Sequence, residues 1–267
     1  EENRQMNDWI VRYVFLLKKR NTDKQKDKFI QAFLSDVLNI RDDINIIEIE
    51  EKKRKYHNIY IGDVSKADKI ITTYFDTPIV SFGDYSFTDT EKNKRNTLSR
   101  IAFESVVSLC IGLGIFFFLM RVFTGTLLTT VLTVFALIFF YVFNGIVKGR
   151  ACSNTQVRNT SSVIEVLSLL EKYKENKKVA FAIVDGGCTN EIGLLALKNS
   201  VKSQSKIYEL DSVGANVALT LTEGSDSKSF KIHPDLKSLG NAILSEKIDI
   251  ELLIRQRQKI EAIMEER

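Results

Sequence analysis

Between Ser105 and Val147 the chain carries one charged side chain, Arg121, and no other feature of the sequence limits the fold so tightly. A helix crossing the ~30 Å hydrocarbon core of a bilayer needs about 20 apolar residues. Val122–Val147 exceeds that length. The run ending at Met120 reaches it when Ile101–Phe103 are counted and Glu104 sits at headgroup level. A core helix of a soluble protein shows a polar stripe, whereas Leu127–Phe143 offers only threonines and a tyrosine. Two spans are therefore expected, forming a transmembrane hairpin over residues 101–147 with its turn at Arg121–Thr126. Lys92, Lys94, Arg95 and Arg100 precede the hairpin, and Lys148 and Arg150 follow it, against Arg121 alone in the turn. Positive charge is retained on the cytoplasmic side, so the sequence predicts a two-span protein of the cell membrane with both termini cytoplasmic. Gly112 and Gly114, and a threonine face at Thr129, Thr130 and Thr133, could pack the spans together or against a partner.

Outside the hairpin the residues must form one cytosolic body split by a membrane insertion. The expected division is an N-terminal helical segment (1–43), a first domain part (44–100) and a second (148–267). A chain of 267 residues accommodates one ordinary domain plus a hairpin. The net charge of +4, with no basic stripe interleaved with aromatics, argues against nucleic-acid binding. Cys110, Cys152 and Cys188 are too scattered for a disulfide framework or a metal knuckle. Trp9–Leu17 is interrupted by Arg12 and followed by Lys18-Lys19-Arg20, unlike a cleavable signal; Trp9 with its apolar neighbours is expected to pack on the domain, with a place on the membrane surface as the alternative.

Helical spacing of Trp9, Val11, Tyr13 and Leu16, then Phe29, Phe33 and Val37, predicts two helices around a charged break at Asn21–Lys28. Strands follow at Ile44–Glu50, Asn58–Ile61 and Lys69–Tyr74. After the hairpin the pattern gives a helix (Ser161–Tyr173), a strand (Val179–Val184), a helix (Ile192–Ser200), strands (Ile207–Leu210 and Val217–Leu221) and a C-terminal helix (Ile250–Met264). The uninterrupted apolar hexamer Val179–Val184 suits a strand buried on both faces. Helices alternating with buried strands predict a three-layer α/β domain around a mostly parallel mixed sheet.

Several segments then fall at predicted strand ends in a familiar order: HNIYIGDVSKADKIITTYFDTP, RNTSSVIEVLSLLE, KKVAFAIVDGGCTNEIGLLALKNS and IYELDSVGAN, with SDSKSF and SEKIDIELL as weaker members. Together they resemble the zinc aminopeptidases of peptidase family M twenty-eight, from about residue 45 to the C-terminus, with the hairpin inserted between the first two motifs. The resemblance implies a site in which two zinc ions activate one water and clamp the substrate. It also implies a bridging aspartate in the second motif, and a general-base glutamate beside a ligand glutamate in the third.

This chain departs from that pattern at most of those positions. Tyr74 stands for the first histidine, Arg158 for the bridging aspartate and Asn190 for the base, while Asp76, Glu191 and Asp211 are retained. No histidine falls near Leu239–Asn241, where the last ligand belongs. Of the two histidines present, His57 precedes a predicted strand and His233 is expected on the surface in a loop. A guanidinium at the bridge repels a metal, and tyrosine is a poor zinc ligand beside imidazole. The resemblance therefore implies a vestigial site of Tyr74, Asp76, Arg158, Asn190, Glu191 and Asp211 with no catalytic residue, metal or cofactor. Arg158 is expected to bridge a buried Glu191 and Asp211, with the Tyr74 phenol in the network. The expected partners are the lipid bilayer and a peptide or membrane protein. Two alternatives remain open: an active zinc aminopeptidase with a reduced site of Glu191, Asp211 and Asp76 or Cys188, and an accessory or immunity component of a peptide-export system.

Overall fold

The computed structural model describes residues 2–265 except Lys53, Ser153, Asn154, Thr189, Ser225 and Ser245. Ser225 and Ser245, the first residues of the two weaker motif segments, therefore lie outside the described residues. The chain forms two compact units, one combining the chain up to Pro78 with that from Cys152, the other spanning Ile79–Ala151.

The first unit is built on seven strands: β1 (Ile44–Glu51), β2 (Arg54–Ile61), β3 (Lys69–Tyr74), β4 (Val179–Val184), β5 (Lys206–Leu210), β6 (Leu219–Glu223) and β7 (Ser229–Pro234). They lie in the order β1-β2-β4-β3-β5-β7-β6. The central four, β4, β3, β5 and β7, run parallel. Antiparallel partners flank them, β2 with β1 on one side and β6 on the other. Every residue of β4 is buried, which is why its sequence shows no polar alternation. Ile70, Tyr74, Ala180, Ala182 and Val184 pack with Leu197 of helix Ile192–Ser200. Their neighbours Ile71, Phe181 and Ile183 are buried on the opposite face. Helix Ser161–Lys172 lies on β3 and β4, and the C-terminal helix Ile250–Glu265 packs on that helix. The domain is the expected three-layer α/β fold.

Three sequence expectations shift. The N-terminal break lies earlier than Asn21–Lys28, because helix Asp23–Leu38 already starts at Asp23. The Gln25 side chain reaches back to the backbone N–H groups of Asn21 (3.3 Å) and Thr22 (3.4 Å), half of a capping box. Before the break, helix Glu2–Ile10 continues into a π-helical turn, Val11–Leu16. Strand β7 was not expected at all. Pro234 is its last residue, so no interior ladder bond is lost. His57, expected ahead of its strand, lies within β2 opposite Glu48, at 3.5 Å.

In the second unit, one helix runs from Thr90 to Val122, starting ahead of Ile101 because Asp89 caps it by accepting from the Lys92 N–H at 2.8 Å. The second helix is Gly125–Val147, entered through Gly125 at φ +61°. Both are long and apolar enough to cross a membrane. A Cβ on Gly112 would fall 2.3 Å from the Phe139 ring, whereas Gly114 has open space around it. Gly112 thus serves contact between the two helices. The hydroxyls of Thr129, Thr130 and Thr133 donate to carbonyls one turn back in their own helix, so they offer no free polar face. Glu104 sits between Arg100 (2.5 Å) and Arg150 (2.6 Å).

Candidate functional site

The parallel strands end on one edge of the sheet, where open α/β folds assemble their sites. β3 leads into Phe75-Asp76-Thr77-Pro78, β4 into Asp185-Gly186-Gly187-Cys188, and β5 into Asp211-Ser212. Asp76, Asp185 and Asp211 are all buried there. The loop after β4 must pass close to β3: a Cβ on Gly187 would fall 2.2 Å from the Tyr74 Cβ, and Gly186 adopts φ +77°. Only glycine meets both demands. The Cys188 N–H then donates to Asp76 Oδ2 at 3.0 Å, and its thiol to the Asp76 carbonyl at 3.1 Å.

Three buried carboxylates on one edge need counter-charge, and residues the sequence did not single out supply it. Lys26, from the first turns of helix Asp23–Leu38, meets Asp185 at 2.6 Å, and Asp185 also accepts from the Gly186 N–H at 2.7 Å. Lys231 of β7 meets Asp211 at 3.0 Å and Glu209 at 3.5 Å. Both lysines are largely shielded, 14% and 18% exposed beside carboxylates at 0% (Asp185 and Asp211). Arg20 is completely buried, donates to Asn159 and Thr160, and stacks on Phe29 at 5.1 Å. Burial pulls its pKa down to about 10, against the pull of the nearby Cys188 and Asp76. Burial, then repulsion from Asp185, raises the Asp76 carboxyl, with Lys26 opposing. Burial also drives the Cys188 thiol well above its usual range, so it stays protonated.

The six residues expected to mark a vestigial site do not all converge. Tyr74 is buried and its phenol donates to Asp211 Oδ1 at 3.2 Å. Asp76 and Asp211 stand at their strand ends. Arg158 lies half-buried in the π-helical turn Gln156–Thr160, where its charge acts on the Cys188 thiol. Asn190 is exposed and donates from Nδ2 to the Tyr56 hydroxyl at 3.0 Å. Glu191 corrects one expectation outright: it is exposed, at φ +56°, and so is not a buried partner of Asp211. The left-handed conformation turns the chain into helix Ile192–Ser200 with Glu191 outward. His233 corrects another. It is buried in β7, with Nε2 2.8 Å from the Thr222 hydroxyl and Nδ1 2.7 Å from the Pro234 carbonyl oxygen.

No protein-family model and no curated protein matches the sequence. Solved structures do match. The chain is similar to a Zn-dependent exopeptidase from Parabacteroides distasonis, at 11% identity and TM-score 0.57 over 99% of this chain and 98% of that one. It is also similar to the glutaminyl cyclase of Bacteroides thetaiotaomicron, at 11% identity and TM-score 0.54 over 95% of each chain. The glutaminyl cyclase of Tannerella forsythia gives 11% identity and TM-score 0.52 over 98% and 97%. At such identity the likeness is one of fold, and it bears out the aminopeptidase-like architecture.

Zinc is the group this fold brings to mind, and the residues present do not fit it. Among the described residues no three of His, Cys, Asp and Glu assemble as a ligand set. Asp185 and Asp211 face ammonium groups, and the Cys188 thiol is engaged with the Asp76 carbonyl. A zinc site needs several deprotonated donors converging on one point.

Proposed function

We propose that this chain is a membrane-anchored aminopeptidase-fold protein without metallopeptidase chemistry, which binds a peptide or protein partner through its soluble domain. The observation that carries this reading is the pairing of the strand-end carboxylates with Lys26 and Lys231, where a hydrolase of this kind needs metal. The hairpin supports the anchoring: two helices of 33 and 23 residues leave their apolar side chains exposed. The lysine and arginine residues flanking the hairpin favour a cytoplasmic soluble domain. The reduced-site alternative has little to draw on, since Glu191 is exposed and Asp211 is paired with Lys231.

Elemental analysis of the detergent-purified full chain, with assays on aminoacyl and glutaminyl substrates, tests the reading. Sub-stoichiometric zinc without turnover is expected. About two zinc ions per chain, as a two-metal mechanism requires, with activity abolished by a chelator, would overturn it.

A further inference from the structure

The N-terminal segment presents an apolar step to solvent beside unpaired cations. Met6, Trp9, Tyr13 and Val14 are buried against the domain. The side of the same segment turned away carries Val11, Phe15 and Leu16, exposed by 52%, 63% and 74%. Phe15 and Leu16 are adjacent, and no large apolar side chain of the soluble unit is more exposed among the described residues. Scattered apolar side chains on a surface are ordinary; an adjacent pair flanked by cations is less so. The helical backbone ends at Leu17, and Lys18 and Lys19 follow directly, both exposed and without an acidic partner among the described residues. Within residues 3–19 the exposed charges are Arg4, Lys18 and Lys19 against Asp8, while Arg12 is occupied by Asp36.

We infer that Phe15, Leu16, Lys18 and Lys19 form a membrane-surface contact that seats the soluble unit on anionic lipid headgroups. This inference rests on the reading of the hairpin as membrane-spanning. Interfacial segments bind by sinking a small apolar surface to the headgroup–acyl boundary while cations meet anionic lipid. Alone, two apolar side chains and two lysines bind weakly. Here the unit that carries the hairpin, Ile79–Ala151, is continuous with the domain's chain at both ends, so contact with the bilayer is intramolecular and a weak patch suffices. The charge term falls with added salt.

The native Trp9 is the only tryptophan and is buried at 4% exposure, so it serves as an internal blank. Phe15→Trp in the otherwise native full chain adds a reporter at an exposed position that leaves the core intact. The chain is reconstituted into vesicles of brominated phosphatidylcholine with or without phosphatidylglycerol, and retention is checked by flotation after an alkaline wash. The expected result is a blue-shifted emission at position 15, quenched by the bromolipid when phosphatidylglycerol is present. That quenching should weaken at high salt and fall to the level of neutral vesicles with Lys18→Glu and Lys19→Glu. Retained protein with no quenching in either vesicle overturns the contact and leaves the hairpin reading standing. Equal quenching in both vesicles, unaffected by the charge reversals, overturns the anionic-headgroup assignment. Protein removed by the wash overturns the hairpin reading and this inference with it. An emission shift in detergent alone that grows with protein concentration assigns the patch to a second copy of the chain and overturns the lipid contact.

Discussion

Replacing Glu165 by glutamine should make the protein more stable, and increasingly so as pH rises. Glu165 lies on helix Ser161–Lys172, completely buried, and neither carboxyl oxygen has a hydrogen-bond partner. Burial raises its pKa from 4.5 to about 8, with Arg257 pulling down and Glu261 pushing up from the C-terminal helix. Because the folded pKa lies above the unfolded one, the folded state holds the proton more tightly. The stability this provides is complete below 4.5 and is lost as pH rises through about 8. In that window the loss is about 1.4 kcal/mol per pH unit. Between about pH 5 and pH 8 the wild type should therefore lose roughly 3–4 kcal/mol that Glu165→Gln does not, less whatever Arg257 recovers by approaching the ionised carboxylate. Near pH 5 the two should agree within ~1 kcal/mol, since a neutral acid and an amide are close in size and both lack partners. Urea unfolding of the detergent-solubilised full chain, followed by the emission of buried Trp9, measures the difference directly. Helix Glu2–Ile10, which carries Trp9, packs on helix Ser161–Lys172, so the probe sits in the unit being tested. Taking wild type minus variant cancels every titration they share. Parallel stability curves from pH 5 to 8 would refute the reasoning and mean that Arg257 holds Glu165 ionised throughout.

Lys26→Ala should cost about 3–5 kcal/mol in the same unfolding assay by leaving Asp185 buried without its cation, and Lys26→Arg should restore most of that loss. His233 should titrate below its ordinary 6.5, because burial lowers its pKa. Its side chain therefore favours the fold above that pH and opposes it below, and the ring proton shift by NMR, assigned with His57→Gln, checks the direction. A cysteine at Thr124, between the two hairpin helices, should react with an impermeant reagent from outside intact cells, and labelling of a cysteine at Ser203 instead would invert the topology.

What could be read in advance was whatever a short stretch of chain determines by itself. The hexamer Val179–Val184 and the strand Lys69–Tyr74 have the expected bounds, because continuous apolar β-branched and aromatic runs admit few other burials. The turns after them were readable as motif positions, which placed Tyr74, Asp76 and Asp211 on the site edge. Strand β7 was hidden, since SFKIHP reads as a polar loop and is buried only because β5 and β6 bracket it. The same bracketing buries His233, whose place just before Pro234 in an expected loop pointed to the surface. Lys26 and Asp185 are 159 residues apart, and nothing local to either indicates the other. Lysines that neutralise a buried acid look in sequence like any solvated lysine, so the charge balance of the site was beyond local reasoning.

The form of that balance explains why Glu191 need not join the buried network expected around Asp211. A metal ion draws several anionic donors to one point, whereas an ammonium group holds one or two carboxylates at ordinary ion-pair distance. With lysines as counter-ions the acids need not converge. Asp185 and Asp76 share the field of Lys26, and Asp211 and Glu209 that of Lys231. Glu191 has no centre to draw it inward and remains on the surface. Lys26 and Arg20 come from the segment ahead of the motifs, and the backbone there is tied to the first strand-end loop: the Arg20 N–H donates to the Thr77 hydroxyl, and the Thr77 N–H to the Arg20 carbonyl. Removing the segment would strand Asp185 and strip Phe75 of the Phe29 ring that stacks on it at 4.9 Å. On this arrangement Arg20, Phe29, Ile30 and Phe33 belong to the core of the domain as much as the strands do, and the site edge is set by a part of the chain the motifs do not include.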